Sequence, residues 1–135
     1  MITAIDTNVL IDVLAADPRY VDRSLAALRT CAAAGQLVVC EIVLAEIARY
    51  FDSLESLQQT FDQLNIAREA LGEVACFSAG QVFRAYRKQG GTRDRVLADF
   101  LIAAHAQTHC TRLLTRDRGF YRTYFPNLVI LDPSA

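Results

Sequence analysis

With 135 residues, 53% of them hydrophobic and 21% charged, the chain has the composition of one packed globular domain, residues 1–135, and not of a disordered polymer. No apolar stretch approaches the ~18 residues of a membrane span. Met1 runs straight into Ile2-Thr3-Ala4-Ile5 without the basic and small-residue regions of a secretory leader, so a cytoplasmic location and no membrane partner are expected. The net charge of −1 hides an asymmetry: thirteen of the fourteen basic residues are arginine, with Lys88 the only lysine. Arginine favours two-pronged contacts with phosphate and carboxylate.

Residues 2–5 read as a short buried strand. Asp6-Thr7-Asn8 then offers N-cap chemistry for a helix over residues 9–14, which Asp17-Pro18 interrupts. Val21, Leu25, Leu28 and Ala32 give residues 20–34 helical periodicity, and Gly35 is a stop signal. Residues 37–40 are strand-like. Residues 42–51 are helical, with Val43, Ile47 and Tyr50 on one side. Ser53-Leu54-Glu55-Ser56 begins a helix to about residue 68, striped by Leu54, Leu57, Phe61 and Leu64. Residues 74–77 read as a third strand, and Ser78 caps a helix to about residue 89.

Gly90-Gly91-Thr92 is a loop. A strongly apolar helix starts at Asp94 or Arg95 and runs to about residue 108. Residues 113–115 read as a fourth strand, 119–125 as a short aromatic segment closed by Pro126, and 128–131 as a fifth strand. Alternation of strands and helices predicts an α/β fold. Its form is a three-layer α/β/α sandwich around a mostly parallel sheet of about five short strands. In such sheets the working site lies at the carboxyl ends of the strands.

Four carboxylates stand in apolar surroundings where a soluble protein rarely places them. Asp6 ends the first strand, and Asp117 lies just past the fourth. Glu46 sits inside Ile42-Val43-Leu44-Ala45-Glu46-Ile47-Ala48. Asp99 sits inside Val96-Leu97-Ala98-Asp99-Phe100-Leu101-Ile102. Singly, each has a bland role as cap, turn or half-exposed helix residue. Jointly they converge at one end of the sheet. Two bare carboxylates about 4 Å apart repel by roughly 4 kcal/mol at an effective dielectric of 20. Protons or a cation must relieve that repulsion, and oxygen ligands alone suit Mg²⁺ or Mn²⁺. Glu41, nearer the second strand, competes with Glu46 for the same place.

Nine basic residues crowd the stretch from Arg84 to Arg122 against Asp94, Asp99 and Asp117, which points to a phosphate-rich partner. Metal-assisted hydrolysis of nucleic acid follows. Arg93, Arg95, Arg116 and Arg118 are the candidate phosphate contacts, against the alternative that each balances an acid or lies on a solvated face. Cys31, Cys40, Cys76 and Cys110 are scattered without a C-x-x-C pair, and read as buried small hydrophobes and not as a zinc site. His105 reads as a core or rim residue and His109 as a helix-end residue.

The sequence resembles PIN domains, and among them the VapC-type toxins of toxin–antitoxin modules. The resemblance rests on Ile5-Asp6-Thr7-Asn8-Val9-Leu10-Ile11-Asp12 and Ile42-Val43-Leu44-Ala45-Glu46 in the first half. It rests more specifically on Ala98-Asp99-Phe100-Leu101-Ile102-Ala103-Ala104-His105-Ala106 and Leu113-Leu114-Thr115-Arg116-Asp117-Arg118-Gly119-Phe120-Tyr121. It implies a Mg²⁺- or Mn²⁺-dependent ribonuclease with Asp6, Glu46, Asp99 and Asp117 as its acidic quartet. Asp6, Asp99 and Asp117 would be the metal ligands, with Asn8 and Thr115 as supporting polar residues. It implies further a cognate antitoxin, seated on the helix pair over residues 43–66, and a homodimer.

Two other classes compete. A phosphoaspartate phosphatase or receiver-like domain also uses acids at strand ends, but it would carry Asp-x-Asp where the chain reads Asp6-Thr7-Asn8. It would also carry a late lysine at a strand end. A non-catalytic RNA-binding module would keep the fold without metal-dependent cleavage.

Overall fold

The computed structural model of the protein describes residues 1–134. Five strands form one sheet, β1 (Ile2–Ile5), β2 (Gln36–Val39), β3 (Ile66–Arg68), β4 (Arg112–Leu114) and β5 (Ile130–Leu131), in the spatial order β3-β2-β1-β4-β5. Every pairing is parallel, with Ala4 opposite both Val38 and Leu113. Thr3, Ala4 and Ile5 are all buried, as are Leu37, Val38 and Val39. Successive strand residues face opposite sides, so both faces of the sheet are covered. This is the expected α/β/α sandwich, with the sheet parallel throughout.

Helices α1 (Thr7–Leu14) and α2 (Val21–Ala34) join β1 to β2. Helix α3 (Glu41–Ile47), a 3₁₀ turn over Ala48–Tyr50, and helix α4 (Leu54–Gln63) join β2 to β3. Helices α5 (Gly72–Lys88) and α6 (Val96–His109) join β3 to β4, and α7 (Arg118–Tyr124) joins β4 to β5. Strand order reverses between β1 and β4, because β2 lies on one side of β1 and β4 on the other. Connections diverge there and leave a crevice at the carboxyl ends of β1 and β4.

The third strand is not where the sequence reading put it. Residues 74–77 lie in the first turns of α5, and the strand is Ile66–Arg68, at the end of the helix expected to reach residue 68. Val74 and Phe77 point outward while Ala75 and Ala79 are buried, a spacing of four that belongs to a helix. Asn65, with φ 55°, breaks the chain out of α4 in a left-handed turn that asparagine tolerates. Ile66 then pairs with Leu37. The expected helix over 42–51 also ends early, tightening into the 3₁₀ turn after Ile47.

Aromatic packing sets the position of the crevice. Phe100 of α6 stacks on Phe120 of α7 at 5.9 Å between ring centroids and meets Tyr124 at 5.1 Å. Tyr86 of α5 packs edge-on against Phe100 at 5.9 Å. These contacts fix α6, which carries Asp99, against α7, which follows Asp117. Helix α6 is apolar around most of its circumference, with Val96, Phe100, Ile102, Ala103, Ala104 and Ala106 all buried. No helix among the described residues is long and apolar enough to cross a membrane.

Candidate active site

Asp6 terminates β1 and caps α1. Its backbone N–H donates to the Leu114 carbonyl at 2.9 Å, which binds the ends of β1 and β4 together. Its side chain is 3% exposed. Oδ1 accepts from the Thr7 N–H at 2.8 Å, and Oδ2 accepts from Thr115 Oγ1 at 2.7 Å and from Asn8 Nδ2 at 3.3 Å. Burial pushes the Asp6 carboxyl up to about 6, against the opposing pull of the Thr115, Thr7 and Tyr121 hydrogen bonds, and the Asp99 charge pushes the same way.

Asn8 links the two strand ends. Its Nδ2 lies 3.4 Å from Asp117 Oδ2 and 3.3 Å from Thr115 Oγ1, while its Oδ1 accepts from the Arg116 N–H at 3.2 Å. Thr115 Oγ1 also accepts from the Asp117 N–H at 3.0 Å. One hydroxyl therefore orients Asp6 and Asp117 together. Asn8 and Thr115, expected as supporting residues, sit between two of the four acids.

Asp99 lies in the first turn of α6, half-buried, where the helix dipole favours a negative charge. Its carboxyl is also pushed up to about 6, first by burial, then by the charges of Glu46 and Asp117. Arg93 and Arg95 pull it the other way. Asp99 is thus the acid that feels or acts on each of the other three, although among the described residues no three of the four offer ligand oxygens all within 4.8 Å of one another. Their burial is unequal, because Glu46 and Asp117 are exposed and only Asp6 is enclosed.

Glu46 Oε1 accepts from Thr7 Oγ1 at 2.6 Å, so α1 holds the fourth carboxylate from the residue after Asp6. Glu41 is occupied elsewhere: its Oε1 accepts from the Leu71 N–H at 3.0 Å, across the β3–α5 connection. The structure thus gives separate contacts to the two glutamates, with Glu46, the one the resemblance implies, held beside Asp6 by Thr7.

Two functional neighbours went unassigned in the sequence. Tyr121 is 1% exposed, and its phenol is pushed well up by burial and by the charges of Asp6, Asp99 and Asp117. It stays a protonated donor beside the acids. Thr7 holds Glu46. Thr7 follows Asp6 directly and Tyr121 lies four residues beyond Asp117, both inside the resemblance motifs, but nothing in their spacing marks their contacts.

Arg116 has a different role from the other expected phosphate contacts. Its guanidinium is held by Asp12, with Nε 2.8 Å from Oδ2 and Nη2 2.9 Å from Oδ1. It also lies 3.9 Å over the ring of Tyr20. Arg93, Arg95 and Arg118 form no salt bridge among the described residues. Lys88 lies in the last turn of α5 and not at a strand end, which removes the lysine a phosphoaspartate site needs.

Donor chemistry fits a hard divalent cation. The quartet supplies oxygen ligands only, and among the described residues none of its members forms a salt bridge. Negative charge held without a direct ion pair is what such an ion neutralises.

Comparisons with known proteins agree with this fold. The PIN domain family matches residues 3–126, a span that holds all four acids. The fold is similar to a chain of VapBC2 from Rickettsia felis, solved bound to a fragment of promoter DNA, with a TM-score of 0.73 and 23% identity over 98% of each chain. It is similar to VapBC-1 from nontypeable Haemophilus influenzae, with a TM-score of 0.72 and 20% identity over 100% of each chain. FitAcB from Neisseria gonorrhoeae matches with a TM-score of 0.69 and 22% identity over 99% of each chain. No curated protein matches the sequence at a significant level. Matched from β1 to the residues just past α7, with its acids gathered at the carboxyl ends of β1 and β4, the chain belongs to the PIN domain family of nucleases.

Proposed function

We propose that the protein is a Mg²⁺- or Mn²⁺-dependent endoribonuclease and the toxin of a toxin–antitoxin pair. The observation that carries this reading is the meeting of Asp6, Glu46, Asp99 and Asp117 at one crevice, with two carboxyls pushed up to about 6 and no basic residue paired to any of them.

Asp6, Asp99 and Asp117 would hold the cation, with Glu46 on the opposite, α3 side. When bound, it supplies Lewis acidity to a phosphodiester and lowers the pKa of its water. The chain's own residues do the rest. Thr115 and Asn8 keep Asp6 and Asp117 aimed together. Thr7 restrains Glu46. Tyr121, buried and hydrogen-bonded to Asp6, helps to keep solvent from that carboxylate. As pH rises through about 6, Asp6 and Asp99 lose their protons and become able to bind a cation. Arg93, Arg95 and Arg118 remain free to meet RNA phosphates at the rim.

Apolar surface supports the partner assignments. Leu54 is 70% exposed beside a cleft lined by Ala48, Phe51 and Leu57, on the helix pair proposed to seat the antitoxin. Val74 and Phe77 are exposed on α5 and offer a face for a second copy in a homodimer.

Cleavage of RNA by the purified chain, stopped by chelation and restored by Mg²⁺ or Mn²⁺, is the expected result. Asp6→Asn and Asp99→Asn should each lower the rate at least about a hundredfold in a folded protein. Full activity in the chelated protein or in both variants overturns the metal mechanism at these carboxylates, whereas RNA binding without any cleavage leaves a non-catalytic RNA-binding module. Growth arrest on expression, relieved by the neighbouring open reading frame, tests the toxin–antitoxin pairing.

A further inference from the structure

A second cluster of metal-ligating groups lies outside the acidic quartet. Glu69 follows β3, His105 is in the middle of α6, and Cys110 caps the carboxyl end of α6. One carboxylate oxygen, one ring nitrogen and the thiol sulfur of these three all lie within 4.8 Å of one another. His105 is six residues beyond Asp99, about 9 Å further along the helix axis, so the two clusters are distinct.

His105 is 1% exposed, and its Nε2 has no hydrogen-bond partner. Glu69 Oε1 is likewise buried without a partner. These two atoms face each other at 3.4 Å without the alignment of a hydrogen bond. Two ligands about 2.1 Å from one ion stand roughly 3.4 Å apart at a tetrahedral angle. The pair is therefore spaced as tetrahedral ligands are. Neighbouring polar groups are already taken: His109 Nε2 bonds the Leu71 carbonyl at 2.7 Å, and Glu41 accepts from the Leu71 N–H. Glu69 also borders a surface cleft with Glu41, Leu44 and Arg68, which gives an ion a route in.

We propose that Glu69, His105 and Cys110 form a second metal site for a borderline-soft divalent cation, with Zn²⁺ as the expected occupant and solvent as fourth ligand. The mixed oxygen, nitrogen and sulfur set selects against Mg²⁺. Binding replaces the Cys110 S–H bond with a sulfur–metal bond and releases the proton to solvent. The bound ion ties the β3–α5 connection to α6, the helix that carries Asp99. Sequence spacing conceals the site, because Cys110 leaves α6 in extended backbone (φ −125°, ψ 171°) and Glu69 comes from another element.

Cobalt substitution tests it with a readout that oxygen ligands cannot give. Full-length protein carrying Asp6→Asn and Asp99→Asn, to disable the acidic quartet, and Cys76→Ser, to remove the exposed thiol, is titrated with Co²⁺ and then with Zn²⁺. Expected are thiolate-to-metal charge transfer and four-coordinate Co²⁺ bands that saturate at one ion per chain. Zn²⁺ should displace Co²⁺ and raise the melting temperature. Cys110→Ser should abolish the charge transfer. Zn²⁺ affinity in Cys110→Ser and in Glu69→Gln should fall by more than the roughly 10–100-fold that loss of an outer-shell partner costs. No charge transfer in the parent, or an unchanged band in Cys110→Ser, overturns the site and leaves Glu69 and His105 as an unligated contact.

Discussion

Arg116 clasps Asp12 in a two-pronged ion pair at 2.8 and 2.9 Å, and the same carboxylate accepts from Ser24 Oγ at 2.6 Å. Asp12 is 1% exposed. The pair pins the β4–α7 connection to α1, and the Arg116 N–H in turn donates to the Asn8 side-chain Oδ1. A residue with the look of a phosphate contact is thus part of the frame beneath the site.

Breaking this pair should be costly. Arg116→Ala leaves a buried carboxylate unpaired and should destabilise the protein by about 3 kcal/mol. Replacing both partners, as Arg116→Met with Asp12→Asn, should recover more than half of that loss in a denaturant-unfolding cycle. The salt dependence of RNA binding should be unchanged in Arg116→Ala, whereas Arg95→Ala and Arg118→Ala should each lower its slope by about one. A slope lowered in Arg116→Ala would return that residue to the RNA surface.

Thr115→Val keeps the shape and removes the hydroxyl that serves both Asp6 and Asp117. Loss of a buried hydrogen bond to a charged group costs about 1–3 kcal/mol. Without it the Asp6 carboxyl should titrate still higher, because the Thr115 bond is the largest influence lowering it. Cleavage should therefore weaken most below pH 7, and a pH–rate profile of the variant checks this.

Asp6 makes metal-free stability depend on pH. The folded carboxyl binds its proton more tightly than the ordinary value of 3.8 allows in the unfolded chain. Its contribution is fully favourable below about pH 4, declines as pH rises to about 6, and is unfavourable and flat beyond. Asp6→Asn removes that decline, worth on the order of 3 kcal/mol. Melting temperatures of variant and wild type in chelator should diverge between pH 4 and pH 6, with the variant higher above pH 6. Asp99, half-exposed, should show the same sign with a smaller amplitude.

Gly35→Ala tests the seat of β1. A Cβ at Gly35 would stand 1.9 Å from the Met1 carbonyl oxygen, whose acceptor role toward the Gln36 N–H at 2.9 Å starts the β1–β2 ladder. Backbone would have to move. A loss of about 2 kcal/mol or more is expected in urea unfolding, with RNA cleavage per folded molecule unchanged.

Much of the fold was legible because local chemistry and tertiary role agree. The buried strand 2–5, the cap at Asp6, the stop at Gly35 and the apolar α6 all stand where periodicity and punctuation place them. The strand at Ile66–Arg68 was hidden because three residues are too few to show alternation, and the amphipathic stripe before them reads on as helix. Its one local signal was Asn65, whose left-handed turn ends α4. The cysteines were read alike as buried, yet Cys76 is exposed on α5 and Cys110 faces Glu69 and His105.

By itself the sequence determined that acids cluster at strand ends, since a carboxylate within an apolar run is anomalous without any coordinates. Which carboxylates meet was decided by the tertiary structure. Asp6 and Asp117 are 111 residues apart and become neighbours because β1 and β4 pair in parallel register at the point where strand order reverses. Tertiary structure alone sorted Arg116 from Arg93, Arg95 and Arg118, and it alone revealed the separate contacts of Glu46, on the Thr7 hydroxyl, and Glu41, on the Leu71 N–H. The reason is physical: hydrogen bonds and ion pairs form between groups that are close in space, and distance along the chain does not encode that closeness.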